Sequence, residues 1–464
     1  MNIQILTSAI IVLLIFLGVM IMLSIRSQKY NQTYESTVTA GRSSSLFLIA
    51  ASAVGAQIGS GFVLGGAEHG ANFGIGGAWY GICCGLSFVV AGLFLGRIFR
   101  NMDCISISEY LRSRYQNNTT SILYSVSNIF SGFSLIAGQL LAGKTLFASL
   151  GLNETAGIVT VTLVIFLFVT FSGMWGVLAA SALQSIVIAA GMIIVLWQVI
   201  GQEGVHILKV ALPESYFSIQ PYDWETFVQL TIPTILFAQI SQFLFQRFAA
   251  ADSERSAVRG HVIGGVVLIP LAFVPTLIGM FGKVLFSQAH YEGIFVKILI
   301  DRMPALISGG VIAAILCAVI SSCNATFLMI NTCFVHDICN GLFPNRVSEK
   351  RTRRLYVCSN IITCLIGTVL ALTNSSILNM MSLAYTFMIS GCLVPFLGGI
   401  LWRRPGAKAA ISSSVAGILT ALLYSFKVIR FPFGSIFPIV PSLAFYVLIG
   451  LVEKPFASSR DTAE

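Results

Sequence analysis

Within the apolar run from Ser308 to Asp337, three oxygen-bearing positions fall on one helical face: Ala318, Ser321 and Ser322. Residues i, i+3 and i+4 of a helix share a face, so the two hydroxyls point the same way and lie close to the carbonyl of Ala318. The cluster has no nitrogen or sulfur ligand and no fixed charge. A hard monovalent cation such as Na⁺ takes oxygen ligands of this kind. A second set of oxygens is expected near residue 57. The stretch Ala51–Gly77 carries nine glycines and places Gln57 in mid-run. Glycine disfavours a continuous helix by about 1 kcal/mol per position relative to alanine, which predicts a helix interrupted between Gly55 and Gly61. Unwound backbone at membrane depth survives only where it lines a cavity or binds something. The carbonyls of Gly55 and Ile58 then join the three oxygens near Ala318, giving five around one small cation. The competing reading of both stretches is close helix packing through small and hydroxylated residues.

The elements that must position these groups are membrane helices. The chain has 464 residues, of which 56% are hydrophobic and 10% charged. Repeated apolar runs of about 20 residues each cover a bilayer of roughly 30 Å. Thirteen spans are expected, at about 4–25, 46–70, 76–98, 121–150, 155–174, 178–201, 225–248, 260–283, 306–333, 355–374, 378–401, 407–426 and 434–452. The first run, Ile5 to Ile25, lacks a preceding basic region and a small-residue cleavage site, and is expected to be a retained helix. With the N-terminus outside, 20 of the 27 Lys and Arg residues fall on inner segments and 6 on outer ones, with Lys144 inside a span. That asymmetry follows the positive-inside rule and accounts for the net charge of +9 without a nucleic-acid partner. Parity suggests two five-helix units of opposite orientation. The expected organisation is a leading helix and loop (1–45), a first repeat (46–202), an outer loop with a second repeat (203–401) and two trailing helices with a short tail (402–464). The ten cysteines lack metal or disulfide spacing.

Polar side chains at membrane depth are costly and usually face a cavity or one another. Gln57, Ser134, Gln239, Ser241 and Gln242, with Phe62 beside them, are the candidate contacts for a neutral, hydrogen-bonding solute. Gln139 and Gln229 read better as interhelical bonds. Glu68 is a candidate outer gate, an interfacial charge being the alternative. Lys144 is expected to snorkel to the headgroups, and Arg247 to anchor the inner interface.

Together these residues resemble the sodium:solute symporter family from about Gly41 to Arg404. The resemblance rests on GR at Gly41–Arg42, IGSGFVLGGAEHG at Ile58–Gly70, SGMWGVLAASALQ at Ser172–Gln184, FQR at Phe245–Arg247 and, most specifically, AVISSCNATFLMINTCFVHDI at Ala318–Ile338. The pattern is most similar to the high-affinity choline transporter branch. It implies an all-α, leucine-transporter-like fold of about 13 transmembrane helices with a five-plus-five inverted repeat. It also implies Na⁺ as coupling ion, held by the carbonyls of Gly55, Ile58 and Ala318 and the hydroxyls of Ser321 and Ser322. The choline branch cages its quaternary ammonium with tryptophans through cation–π attraction. Here those positions are Gln57, Ser134 and Ser241, so an aromatic cage is absent and choline is not the expected substrate. Ser181 replaces an acidic residue common in the family, so a second sodium site is not supported.

The expected function is Na⁺-coupled import of a small polar organic solute by alternating access. The expected setting is the plasma membrane (the inner membrane in a Gram-negative cell), with the N-terminus outside and the C-terminus inside, as a monomer or weak homo-oligomer. Two alternatives are a membrane sensor acting with a separate signalling partner and an uncoupled uniporter. No nucleophile–base spacing, metal cluster or nucleotide motif points to an enzyme.

Overall fold

The computed structural model describes residues 3–27, 29, 34–102, 104–169, 174–220, 222–286, 291–342, 349–373, 377–426, 428, 429, 431, 433, 434 and 436–453. Arg346, Lys427, Arg430, Lys454 and Arg460, part of the charge asymmetry above, lie outside the described residues. Among the described residues the chain is helical, with a single isolated bridge between Ser44 and Ala251.

The helices that position the site are α1 (Ile3–Ser27), α2 (Leu46–Gln57), α3 (Gly66–Phe73), α4 (Trp79–Val90), α5 (Ile107–Tyr115), α6 (Asn118–Ser149), α7 (Met174–Glu203), α8 (Trp224–Ile240), α9 (Gln242–Ala250), α10 (Glu254–Leu271), α11 (Phe273–Leu285), α12 (Ala305–Asn331) and α13 (Ile377–Met388). Several start on side-chain caps that satisfy otherwise orphaned N–H groups. Ser106 caps α5 through the Glu109 N–H at 3.0 Å, and Asp223 caps α8 through the Thr226 N–H at 3.0 Å.

Among the described residues, eight helices are long and apolar enough to cross a membrane, or nine when α8 and α9, bent by 51° about Ser241, count as one span. Four shorter apolar helices, Thr7–Leu23, Leu46–Gln57, Glu154–Phe166 and Ile439–Val452, stand beside them. The predicted interruption of the second span is present: α2 stops at Gln57, and a π-helical turn over Gly61–Gly65 leads into α3.

The segments expected on one side of the membrane meet at one end of the bundle. Ser44 exchanges backbone hydrogen bonds with Ala250 and Asp252, both at 2.9 Å. Arg100 Nε donates to the Ala251 carbonyl at 2.8 Å, and Arg114 donates to the carbonyls of Gly399 (2.9 Å) and Arg403 (2.8 Å). At the opposite end, Trp79 Nε1 donates to the Ile219 carbonyl (2.6 Å), Tyr216 Oη to that of Ala71 (3.0 Å), and Arg302 pairs with Glu203 (2.7 Å). Lys144 also lies at that end, paired with Glu154 at 3.4 Å, rather than reaching alone for headgroups.

The interior forms two apolar clusters. One gathers Ile58 and Phe62 with α12; the other gathers Tyr80, Phe237 and Phe245 with Tyr385 of α13. Helix α2 lies on α7 and α10, whereas α3 lies on α11. These contacts are backbone-close. A β-carbon on Gly55 would collide with the Ser181 carbonyl, and one on Gly279 with that of Ala67. Large exposed apolar side chains such as Phe47, Phe94, Leu163, Trp197 and Leu365 face outward, as a lipid-contacting surface requires.

Candidate functional site

The break in the second span is a tight turn. Ile58 leaves the helical region at φ −75°, ψ 72°, its N–H still bound to the Val54 carbonyl at 3.0 Å. The next N–H, of Gly59, turns to the Gln57 carbonyl at 2.8 Å instead of to Gly55, its α-helical partner. The Gly55 carbonyl is thereby released from the ladder.

The turn rests against α12. A β-carbon on Gly59 would sit 3.3 Å from Ser322 Oγ and 3.2 Å from Gln139 Nε2. Ser60 Oγ donates to Gln139 Oε1 at 3.0 Å, tying the break to α6. On α12, the Gln184 side chain of α7 donates to the Cys317 carbonyl at 2.6 Å, which fixes the turn carrying Ala318.

The hydroxyls of Ser321 and Ser322 are buried and lack any hydrogen-bond partner among the described residues. Many other hydroxyls in these helices are satisfied by the carbonyl four residues back, as in Thr326 to Ser322 (3.0 Å), Thr332 to Leu328 (2.8 Å) and Ser390 to Thr386 (2.6 Å), whereas Ser131 on α6 is a further buried hydroxyl without a partner among the described residues. A buried hydroxyl without a partner costs about 1–3 kcal/mol, so two adjacent ones, of which Ser322 faces the broken turn of the second span, are free to coordinate a ligand. An all-oxygen set with two unsatisfied hydroxyls suits a small hard cation. Of the expected oxygens, the Ser322 hydroxyl is the one that the fold brings against the broken turn, at Gly59.

A cavity opens beside this turn, on the seam between the two apolar clusters. Its polar wall comprises Gln57, Gln139, Ser181, Ser322, Thr326 and Arg247; its aromatic wall comprises Phe62, Tyr80, Phe237, Phe243 and Tyr385. The Tyr80 and Tyr385 hydroxyls stand 3.3 Å apart.

Of the six expected solute contacts, Gln57 and Phe62 line the cavity and four do not. Ser134 Oγ turns back to the Phe130 carbonyl at 3.4 Å. Gln239 Nε2 donates to the carbonyls of Ser87 (3.1 Å) and Ile235 (3.0 Å). Ser241 is fully buried at the α8–α9 bend, its hydroxyl near the Ala238 carbonyl at 3.4 Å. Gln242 accepts from the Ile107 N–H at 3.0 Å and donates to the Ile105 carbonyl at 3.2 Å, so it braces the start of α5.

Gln139 makes the expected interhelical bond, to Ser60, and also lines the cavity. Two expectations change in the other direction. Arg247, expected at the membrane interface, is 1% exposed and lines the cavity. The cavity has aromatic walls, from positions other than Gln57, Ser134 and Ser241. Glu68 is half-buried on α3, next to His69, whose Nδ1 lies 3.1 Å from Tyr222 Oη.

The fold is shared with solved transporters. A substrate-bound, outward-open Na⁺-coupled sialic acid symporter superposes with a TM-score of 0.82, covering 97% of this chain and 99% of that one at 18% identity. Mhp1, a nucleobase-cation-symport-1 family transporter, gives 0.61 over 91% and 96% at 13% identity. The architecture is the all-helical, leucine-transporter-like one. The sequence pattern of the sodium:solute symporter family matches residues 38–417, and the chain belongs to that family. Similar proteins include the sodium/pantothenate symporter of Escherichia coli, 23% identical over 81% of this chain and 80% of that protein. They also include the sodium/sialic acid symporter NanT of Aliivibrio fischeri, 23% identical over 70% and 69%. The high-affinity proline transporter PutP of Bacillus subtilis is 25% identical over 70% and 71%.

Proposed function

We propose that this multi-pass membrane protein couples the entry of Na⁺ to the import of a small polar organic solute across the plasma membrane. The observation that carries the reading is the pair of buried, unpartnered hydroxyls on Ser321 and Ser322, set against the broken turn at Ile58–Gly59. Na⁺ is a transported substrate here. Its proposed ligands are the carbonyls of Gly55, Ile58 and Ala318 and the two hydroxyls.

The solute occupies the adjoining cavity, with Gln57 and Phe62 among its contacts. Glu68 gates the outer side. Residues 46–202 and 203–401 act as two inverted repeats, with the bundle end that carries Arg100 and Arg114 on the inside. Because Ser322 belongs to both the ion turn and the cavity wall, filling one site changes the other. Coupling of this kind is reciprocal. One charge moved through 100 mV supplies about 2.3 kcal/mol, enough for roughly fiftyfold accumulation from the potential alone.

The test is Na⁺-dependent uptake in proteoliposomes by wild type and by the Ser321→Ala/Ser322→Ala double variant. The solute is first identified from a metabolite screen of thermal stability with and without Na⁺. Loss of sodium stimulation in a variant that still folds supports the assignment. Unchanged sodium dependence overturns it.

A further inference from the structure

Resting on the symport reading, we propose that Gln139 of α6 is a positioning residue for the ion. Its side-chain amide holds the broken turn of the second span in the shape that offers Na⁺ its backbone oxygens. Ser60 follows Gly59 in the turn, is fully buried, and donates its hydroxyl to Gln139 Oε1 at 3.0 Å. A β-carbon on Gly59 would meet Gln139 Nε2 at 3.2 Å and Ser322 Oγ at 3.3 Å. The amide of Gln139 and the hydroxyl of Ser322 therefore close on the same backbone position from two helices, α6 and α12.

The turn has few other ties. The α-helical ladder is interrupted past Gln57, and the Gly59 N–H is taken by the Gln57 carbonyl. The link Ile58–Ser60 joins α2, which lies on α7 and α10, to the π-helical turn and α3, which lies on α11. Among the described residues, Ser60 to Gln139 is the one side-chain hydrogen bond made by residues 57–60. Carbonyls in such a link turn with small changes in backbone rotation, and groups that orient an ion's ligands tune its affinity. Gln139 acts on the ion through Ser60 rather than by touching it. The end of its amide beside Gly59 and Ser322 is Nε2, a donor, and a donor nitrogen repels a cation. Gln139 is 7% exposed and lines the cavity, and its Nε2 makes no hydrogen bond among the described residues. One end of the amide is thus committed to the turn, and the other is open on the seam between turn and cavity.

The test titrates purified full-length protein with sodium methanesulfonate, with choline methanesulfonate holding the ionic strength constant. It reads the sodium concentration that gives half of the maximal rise in melting temperature. Gln139→Leu and Ser60→Ala should each raise that concentration about three- to tenfold, as expected for the loss of one neutral hydrogen bond. The double variant should match the larger single effect, because both changes remove the same bond. Gln139→Glu keeps an acceptor for Ser60 and puts an oxygen where the donor stood, so it should bind sodium at least as tightly as wild type. Gln242→Leu, whose partners are at Ile105 and Ile107, is the structural control: its melting falls and its half-saturating sodium does not move. If Gln139→Leu does not fold, Ser60→Ala carries the same comparison. A Gln139→Leu or Ser60→Ala protein that melts lower yet keeps the wild-type half-saturation overturns the proposal. So do additive effects in the double variant, and so does a Gln139→Glu protein as weak as Gln139→Leu. Absence of any sodium shift in wild type is a different failure: it sinks the symport reading, and the proposal falls with it.

Discussion

Ser106 and Asp337 lie 231 positions apart in sequence, yet Ser106 Oγ donates to Asp337 Oδ1 at 2.6 Å. Ser106 also caps α5, and Asp337 is 1% exposed in the π-helical extension of α12. Ser125 Oγ reaches the other carboxylate oxygen at 3.2 Å, and Arg112 donates to the Asp337 backbone carbonyl at 3.1 Å. One buried carboxylate thus clasps α5, α6 and the end of α12.

Asp337→Asn should loosen this clasp. Charge-assisted bonds are worth about 1.5–3 kcal/mol each, so a loss of at least that size is expected in stability. Maleimide labelling of buried Cys333, in a background with Cys339 and Cys358 replaced by Ser, should accelerate. Melting and labelling both unchanged would show that the clasp holds nothing.

Two glycine substitutions separate packing from ion binding. Gly55→Ala should fail to fold, because the new methyl has only the Ser181 backbone to displace. Gly59→Ala meets the mobile ends of Ser322 and Gln139 at 3.2–3.3 Å, so it should fold and lose most of the sodium-dependent shift in melting. A Gly59→Ala protein with the full sodium response would remove that turn from the ion site.

Gln242→Leu should behave as a stability variant. It strips the Ile107 N–H of its partner in a buried setting, at a cost of about 1–3 kcal/mol. Melting should fall while the concentration of Na⁺ giving half-maximal stabilisation stays constant. A change in solute preference would restore Gln242 to the binding site.

Tyr446→Phe should cost about 0.5–1.5 kcal/mol and leave sodium stimulation of uptake intact. Its hydroxyl lies 2.8 Å from that of Tyr115, which in turn donates to the Pro395 carbonyl at 2.7 Å. These contacts fasten the helix Ile439–Val452, and none of the three residues lines the cavity; uptake kinetics in liposomes would report any wider role.

The helix break was readable because its signal is local: the glycine-rich stretch declares itself by type and spacing. The proposed ion ligands rest on an equally local pattern, two serines three and four positions after Ala318. The cavity was less readable because its geometry depends on the bend between α8 and α9. A straight span would carry Arg247 to the membrane surface, as its place at the end of an apolar run suggests. The 51° bend at Ser241 turns it inward instead. The bonds of Gln239 and Gln242 were hidden for a related reason. Their partners, Ser87 and the Ile105–Ile107 backbone, are more than 130 residues away, and no periodicity within one helix reveals which loop will need a donor or an acceptor.

The glycine seams have a mechanical corollary. With no side chain between Gly55 and Ser181, or between Gly279 and Ala67, neither half of the broken span can slip along its neighbour without carrying it. The two halves are riveted to different supports, and the short non-helical link at Ile58–Gly59 is the joint between them. The ion proposed at that joint would work as a locking pin, so the spacing between a probe on α2 and a probe on α3 should narrow its distribution when sodium is added.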